Sequence, residues 1–437
     1  MSDVDQLLLK PADLSNLTYK LCHDAIVSRN FDNFSDNNAH LTMNLNKTVK
    51  GLKFRLQCSQ VFHLSQLKIY SYGKLISLDD IRFSSSSLMG DNNHYDVSKL
   101  FVEKGIFHSK RETDPEIEIF FEEDTHVDKI EVVNFSYRYA YRAFSFCAFY
   151  MDPVRSVYLN FFDNWKQKKQ CDSFINNYFS TKDFAEEKLI SLFYVACSFG
   201  DEAKAIRLYD QINKVCDRTQ MKAVVSIANE LMALNGYGFN QHGFIRPFSL
   251  QTDEKIHSHF KQVLGLMTKL EEEFKIKSTI ASGTLLGIHR DGKLIDHDDD
   301  IDMAYYSSFS AYEDIVKEQK SIILYLNSQG YNCKNTNHVQ IQCELFSGVD
   351  LDLFPAWVEG ENMIMSPLPI NHIKTTDVFP LGTINFQGFS LPVPKDINKM
   401  LVANYGPDYN KPDSNWRFDW PRANQEYRGF IEEQKAL

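Results

Sequence analysis

The most informative stretch of the chain, residues 278–302, reads Ser278-Thr-Ile-Ala-Ser-Gly-Thr-Leu-Leu-Gly-Ile-His-Arg-Asp-Gly-Lys-Leu-Ile-Asp-His-Asp-Asp-Asp-Ile-Asp302. Its β-branched start predicts a short strand that leads into Ser282, Gly283 and Thr284, where a short helix begins. Gly283 permits a close approach of the backbone, and N–H groups at the start of a helix bind anions. We therefore expect Ser282, Gly283 and Thr284 to bind phosphate groups of a substrate.

An acidic run ends this stretch, and its tail resembles the start of a strand. Because side chains alternate along a strand, Asp298, Asp300 and Asp302 would share one face if the extended conformation reaches back that far. Three like charges on one face repel each other, and a hard divalent cation is the usual compensation. Carboxylate oxygens suit Mg²⁺ or Mn²⁺, so the sequence predicts one of these ions as cofactor.

Two other interpretations of the acidic run are considered. An Asp run is ordinarily a solvated loop. An EF-hand calcium loop that starts at Asp296 would place Ile301 at its sixth position, where Gly is required, and Ser307 at its twelfth, where Glu is expected. The EF-hand therefore fails, and the metal site is favoured over the solvated loop.

A second carboxylate strand is predicted at Val349-Asp-Leu-Asp-Leu-Phe-Pro355. Its aliphatic residues at 349, 351 and 353 would face the core, which leaves Asp350 and Asp352 on the opposite face. From there, one of the two could complete the metal site or take the proton from an attacking hydroxyl group.

The length of 437 residues predicts two or three independent cores. Residues 1–152 have the rhythm of short strands typical of an all-β sandwich and resemble galactose-binding-like jelly rolls, a type found in carbohydrate-binding modules. Residues 153–250 show helical periodicity followed by a linker, and 251–437 begin with an amphipathic helix over residues 253–274. The fold class predicted is therefore multidomain α+β, with a β-sandwich, a helical connector and a C-terminal α/β domain.

Composition narrows the possible partners. Hydrophobic residues make up 43% of the chain and charged residues 24%, which is typical of globular proteins. The formal net charge is −11, and the absence of a Lys/Arg cluster argues against a nucleic-acid partner. The eight cysteines show no C-x-x-C pair, which predicts neither zinc nor haem and favours a reducing compartment.

The termini and hydropathy lead to an expectation about location. The start of the chain has no basic segment followed by an apolar one, and no apolar run is long enough to cross a bilayer. We expect a cytoplasmic protein, or one associated peripherally with the inner face of a membrane.

The motifs of the C-terminal domain together resemble the LicD family of phosphotransferases, which also includes fukutin and the fukutin-related protein. The resemblance covers roughly residues 253–420. It is carried by these motifs in the family's order: Gly283-Thr-Leu-Leu-Gly287, Arg290, Ile295, Asp298-Asp-Asp-Ile-Asp302, Leu351-Asp-Leu-Phe-Pro355, Phe379-Pro-Leu, Phe386-Gln-Gly, Leu391-Pro-Val-Pro-Lys395 and Leu401-Val-Ala-Asn-Tyr-Gly-Pro-Asp-Tyr409. The resemblance implies a nucleotidyltransferase-like fold for residues 251–437.

The resemblance also implies roles for individual residues. Asp300 and Asp302 match the metal-binding pair of the family, Asp298 matches the acidic ligand that precedes it, and Asp352 matches the Asp of its D-hydrophobic-F-P strand. The family commonly has Pro-Trp before the acidic run, whereas this chain has Asp296-His297. With this departure the resemblance still implies the metal site, but it does not imply the specificity for donor group or acceptor.

The function implied is the transfer of phosphocholine or a polyol phosphate, such as ribitol or glycerol phosphate, from a CDP-linked donor to a glycan acceptor in cell-surface or capsule polysaccharide biosynthesis. CMP is the other product. Asp352 would act as general base or additional metal ligand, and Arg290 and Lys293 would contact phosphate, with surface pairing to nearby acids as their alternative. The alternatives for the whole protein are an NTP-dependent nucleotidyltransferase and a non-catalytic glycan-binding protein.

Overall fold

The computed structural model describes most of the chain. The described ranges are 18–24, 40–57, 59–88, 96–102, 107–134, 142, 145–163, 165–179, 185–240, 243–336, 339–412 and 418–436. Residues 1–17, where the sequence predicts no targeting signal, lie outside these ranges. The chain divides into two compact units, Met1–Ile245 and Arg246–Leu437.

The first unit is built on an eight-stranded sheet. Its two long strands, β1 (His40–Leu56) and β8 (Glu116–Asn134), pair antiparallel along most of their length. The order is β10-β9-β1-β8-β3-β4, with β5 paired to β8 and β6 paired to β3. The other strands of this sheet are β3 (His63–Ser71), β4 (Lys74–Leu75), β5 (Ile81–Ser85), β6 (Phe107–His108), β9 (Phe146–Met151) and β10 (Tyr158–Asp163), and β2 (Ser59–Gln60) pairs separately with β7 (Glu112–Thr113).

Four helices follow the sheet: α1 (Lys166–Tyr178), α2 (Ala185–Ser198), α3 (Glu202–Ile212) and α4 (Arg218–Ala233). Asp201 caps the start of α3, since its side chain accepts a hydrogen bond from the backbone N–H of Lys204 at 3.2 Å. Buried side chains of the strands and of these helices form one continuous hydrophobic cluster. The helical segment therefore shares its core with the sheet.

The segment predicted as a linker is structured. Strands β11 (Gly238–Asn240) and β12 (Gly243–Ile245) pair antiparallel and close the first unit. Phe239 and Phe244 of this hairpin are buried in the same cluster as the helices. Its glycines had suggested a linker, but the apolar area that these rings bury stabilises a hairpin.

The second unit contains a mixed sheet of order β13-β14-β17-β16-β15, with β18 paired to β17. Strands β14 and β17 run parallel, and the other pairs are antiparallel. The strands are β13 (Lys277–Ile280), β14 (Asp300–Tyr306), β15 (Asn332–Asn335), β16 (Ile341–Glu344), β17 (Asp350–Glu359) and β18 (Asn362–Met365), and a separate hairpin joins β19 (Gly382–Phe386) to β20 (Phe389–Val393).

The longest helix of this unit, α5 (Asp253–Phe274), has the predicted bounds. Its apolar face, including Phe260 and Leu270, packs in one cluster with β14 and β17. The remaining helices are α6 (Ser282–Asp291), α7 (Tyr312–Ser328), α8 (Thr375–Val378), α9 (Ile397–Tyr405), α10 (Trp420–Glu426) and α11 (Arg428–Ala436). None of the helices within the described ranges is long and apolar enough to cross a membrane.

A disulfide joins Cys333 of β15 to Cys343 of β16. The two cysteines are direct partners in the antiparallel register, which brings their side chains together on one face. The prediction of a reducing compartment assumed unpaired cysteines, and for these two the assumption is wrong. A spacing of ten residues in sequence does not reveal a cross-strand pair.

Candidate active site

Two adjacent parallel strands carry four aspartates side by side. The register of β14 and β17 pairs Asp300 with Asp350 and Asp302 with Asp352. Ile301, which lies between Asp300 and Asp302 in sequence, is fully buried in the hydrophobic core on one face of the sheet. Because side chains alternate along a strand, the four carboxylates lie on the opposite face. The predicted second carboxylate strand thus lies directly beside the first.

Asp298 reaches the same region from a loop. Strand β14 begins at Asp300, so the predicted extended conformation does not reach back to Asp298. The loop is fixed by the segment before α5: the backbone N–H of Phe248 donates to the carbonyl of Asp298 at 2.8 Å, and that of Ser249 donates to the carbonyl of Asp296 at 3.1 Å. These bonds hold the acidic loop in a conformation that local alternation does not describe.

Asp302 connects strand β14 to the start of helix α6. Its Oδ2 accepts hydrogen bonds from the backbone N–H groups of Gly283, at 2.7 Å, and Thr284, at 3.3 Å. In return, the backbone N–H of Asp302 donates to Oγ1 of Thr284 at 2.9 Å. The residue before the helix, Ala281, has no side chain that could cap it. The carboxylate of Asp302 takes this role, because it accepts hydrogen bonds from backbone N–H groups at the helix start that would otherwise lack partners.

The sequence predicts that these N–H groups bind substrate phosphate. In this structure, two of the three predicted residues, Gly283 and Thr284, donate instead to a carboxylate of the protein. Ser282, the first residue of the helix, has a positive φ of 40°. The predicted phosphate site and the carboxylate cluster therefore share the same helix terminus.

Two glycines allow the chain to pack closely here. A Cβ at Gly283 would lie 2.9 Å from Oδ2 of Asp298 and 3.1 Å from Oδ2 of Asp302, so both carboxylates converge on the space that glycine leaves open. A Cβ at Gly287 would lie 2.7 Å from the carbonyl oxygen of Lys293. The loop that leads to the aspartates passes directly over Gly287. Both glycines of the motif are therefore at positions where a larger side chain would collide with neighbouring atoms.

The carboxylates raise one another's pKa. Burial, followed by the charges of Asp300 and Asp302, raises the pKa of Asp298 well above its ordinary value. Burial is also the main cause of the strongly raised pKa of Asp302, with the charges of Asp300 and Asp352 adding to it. The fully ionised cluster therefore destabilises the folded protein unless a bound proton or cation reduces its negative charge.

Tyr405, the last residue of α9, belongs to the same environment. Burial and then the charges of Asp302, Asp298 and Asp300 raise the pKa of its phenol. The sequence contains this tyrosine within the Tyr-Gly motif at 405 and 406, but the motif alone assigns it no role. Its position beside the carboxylates results from the tertiary fold, which brings the end of helix α9 close to these aspartates.

Two glutamines, Gln342 on strand β16 and Gln340 just before it, also contact the aspartates. Nε2 of Gln340 donates to Oδ2 of Asp352 at 3.3 Å, and Nε2 of Gln342 donates to Oδ2 of Asp350 at 3.4 Å. Sequence reasoning missed both residues, because an isolated Gln-x-Gln pattern carries no chemical signal. Asp350, for which the family resemblance implies no role, is buried in this arrangement.

The two predicted phosphate-binding cations are paired with acids. The guanidinium of Arg290 contacts Asp291, with Nη2 at 2.7 Å from Oδ2, and its Nη1 donates to the carbonyl of Tyr409 at 3.4 Å. Nζ of Lys293 lies 2.7 Å from Oδ1 of Asp296, and both side chains are well exposed. This is the surface pairing considered as their alternative, and their contact with phosphate stays a prediction.

The donor set suits a hard divalent cation. All of the candidate ligand atoms are carboxylate oxygens, which are the ligands that such cations prefer. The carboxylates of Asp298 and Asp302 converge over Gly283, and burial and mutual repulsion disfavour their ionised forms. Within the described ranges, however, no three His, Cys, Asp or Glu side chains are placed to hold a metal ion in this conformation, so the metal site stays a prediction. Asp302 and Asp352 each direct one oxygen, Oδ2, to a protein N–H.

Comparison with known proteins agrees with this geometry. The model of the LicD/FKTN/FKRP nucleotidyltransferase domain matches residues 275–396, which include β13, α6, β14 and β17. No curated protein matches the chain. The family suggests a transferase with a phosphotransferase-type role in glycan modification. The second unit of this chain therefore contains a LicD-family nucleotidyltransferase domain.

Proposed function

We propose that the protein transfers a substituted phosphate group from a CDP-linked donor to a glycan hydroxyl group and releases CMP, in the synthesis of a cell-surface polysaccharide. The group transferred would be phosphocholine or a polyol phosphate such as ribitol or glycerol phosphate. The observation that carries the proposal is the parallel pairing of Asp300 and Asp302 with Asp350 and Asp352 at the start of helix α6.

Mg²⁺ or Mn²⁺ would be held by Asp298, Asp300 and Asp302, with Asp352 as general base or additional ligand, and when bound it would neutralise the donor diphosphate. The chain's own residues position this site. Asp302 is fixed by the N–H groups of the helix start, and Asp298 by the backbone bond from Phe248. Such fixed charges favour transfer because they need little rearrangement during the reaction.

The acceptor hydroxyl would attack the β-phosphorus of the donor, which is the phosphorus atom of the transferred group. A new P–O bond forms to the acceptor, and the P–O bond to CMP breaks. The hydroxyl proton would go to the carboxylate of Asp352, whose position is set by Gln340. Arg290 and Lys293 would contact donor phosphates by exchanging their present partners, Asp291 and Asp296.

Substitution of the paired aspartates tests the proposal. Asp300→Asn and Asp302→Asn keep the size of the side chain and remove its charge, and we expect each to lower CMP release at least about 100-fold. CMP would be measured separately with CDP-choline, CDP-ribitol and CDP-glycerol, each with and without a glycan acceptor. Glu361→Gln, which changes an exposed acid of the same unit, is the control.

The products separate the alternatives. Wild-type rates in both Asn variants would contradict the assignment of the site. Release of pyrophosphate from an NTP, with no CMP from any CDP-linked donor, would instead support nucleotidyl transfer. Glycan binding without turnover of either class of donor would support the non-catalytic alternative.

A further inference from the structure

A row of polar residues extends from the aspartates to the edge of the sheet. The register places Asp302 beside Asp352, Asp352 beside Gln342, and Gln342 beside Lys334. Neighbouring strands lie about 4.8 Å apart, so the distance from Asp352 to Lys334 is roughly 10 Å along the row. This is the span of a short oligosaccharide rather than of a single hydroxyl group.

Burial shows which face of the sheet this row occupies. Ile341 and Cys343 are buried in the core, as is Cys333, the disulfide partner of Cys343. Residues that alternate with them, Gln342 on β16 and Lys334 on β15, therefore lie on the face of the aspartates. We name Gln340, Gln342 and Lys334 the polar strip.

Gln340 has an unsatisfied hydrogen-bonding group. Its side chain is only 8% exposed, and Nε2 donates to Asp352. Its Oε1 is buried and accepts no hydrogen bond from any residue within the described ranges. A buried amide oxygen without a donor is unfavourable, so a ligand that brings a hydroxyl group to this point would be stabilised.

The chemistry of the polar strip differs from that expected for a diphosphate. Amides of Gln340 and Gln342 are neutral groups that donate and accept, which matches sugar hydroxyls. Lys334 is exposed at the outer end and makes no ion pair within the described part of the chain. Its ammonium group suits an anionic substituent on the same sugar chain.

We propose that the polar strip binds the acceptor glycan and presents one of its hydroxyl groups to Asp352. This inference rests on the proposed function, because it assigns the acceptor side of that reaction. Oε1 of Gln340 accepts a hydrogen bond from a sugar hydroxyl group next to the reacting one, and Gln342 and Lys334 hold the part of the glycan that extends away from it. These residues determine acceptor affinity, whereas donor affinity depends on the aspartates.

Direct binding provides the first test. The labelled full-length protein would be applied to an array of immobilised oligosaccharides, both neutral and carrying phosphate or carboxylate groups. We expect Lys334→Ala and Gln342→Ala each to weaken binding about 5-fold, the effect of one lost hydrogen bond. Lys277→Ala is the matched control, because Lys277 is also an exposed strand lysine but lies on β13 at the opposite edge of the sheet.

Kinetics provides the second test, with the strongest array ligand as acceptor. We expect the two strip variants to raise the KM for this acceptor about 5-fold and to leave the KM for the CDP-linked donor unchanged. A higher donor KM would overturn the proposal, and so would array binding that is absent in the wild type or equal in the wild type and both strip variants. If no CDP-linked donor yields CMP, the proposed function fails, and the array still decides whether the strip binds glycans.

Discussion

The backbone N–H of Gly283 donates to Oδ2 of Asp302 across 2.7 Å, and this bond ties the start of helix α6 to strand β14. The same glycine lies beneath Asp298, so one residue without a side chain positions two carboxylates. The site therefore depends on backbone geometry as much as on its acidic residues.

Gly283→Ala is expected to lower CMP release more than tenfold, because the new Cβ would lie 2.9 Å from Asp298 and must displace it. Gly265→Ala is the control: a Cβ there meets no atom within 4 Å, and alanine favours its helix by about 1 kcal/mol. Initial rates and thermal unfolding of both variants check the prediction. Normal turnover in Gly283→Ala would show that the close contact is unimportant.

Asp298→Asn should affect the protein in opposite ways with and without metal. Burial and the neighbouring charges raise the pKa of Asp298, so ionisation of this group opposes folding at neutral pH. Removing the charge should raise the Tm of the metal-free protein and reduce the further increase caused by Mg²⁺. Differential scanning calorimetry with EDTA and with Mg²⁺ measures both effects.

Asp299→Asn serves as the comparison for that experiment. Asp299 is the neighbouring acid in the same loop, and it is not among the residues that would hold the metal. We expect the Asp299→Asn variant to keep most of the increase in Tm that Mg²⁺ causes in the wild type. An equal Mg²⁺-induced increase in Tm in the wild type and Asp298→Asn would argue against Asp298 as a ligand.

His259 should make the protein less stable in mild acid. It is fully buried between Ser347 and Gln251, and burial lowers its pKa to about 3. Between pH 6.5 and about 3 the unfolded chain binds a proton that the folded ring does not, so this contribution to stability is present above pH 6.5 and is lost as the pH falls. At pH 5 the loss is about 2 kcal/mol relative to pH 7.

Urea unfolding at pH 7 and pH 5 measures that loss. His259→Gln should show a smaller decrease in the free energy of unfolding between the two pH values, because the new side chain does not titrate. His257→Gln, at an exposed position of the same helix, should keep the wild-type decrease. A pH dependence identical in wild type and His259→Gln would contradict the assignment.

Reduction of the Cys333–Cys343 disulfide should lower the free energy of unfolding by about 2–3 kcal/mol, the value expected for closing a loop of this size. Mass spectrometry after alkylation, with and without a prior reductant, tests the pairing. The comparison is Cys216, which is free and partly exposed. Labelling of Cys333 and Cys343 in the unfolded protein without reductant would exclude the bond.

Local patterns were sufficient for part of this structure. Helix α5 was predicted with its observed bounds because its apolar residues recur with helical periodicity. The orientation of Asp350 and Asp352 follows from alternation with Leu351, which is fully buried. Both inferences use only the geometry of a single element.

Features that depend on contacts between elements were not predictable in this way. Asp298 lies in a loop held by Phe248, a residue distant in sequence. Gln340, Gln342 and Tyr405 approach the aspartates from other elements, and nothing in their residue type or spacing indicated this. The parallel pairing of β14 with β17 likewise needs the whole sheet to be known.

The two backbone bonds from Phe248 and Ser249 to the acidic loop have a practical consequence for truncation. A fragment that starts at residue 275, where the family match begins, would retain every aspartate of the site but lose both N–H donors and helix α5. A fragment that starts at Arg246 retains them and coincides with the boundary of the compact unit. We therefore expect the smallest fragment that folds with the acidic loop held in place to be larger than the family match.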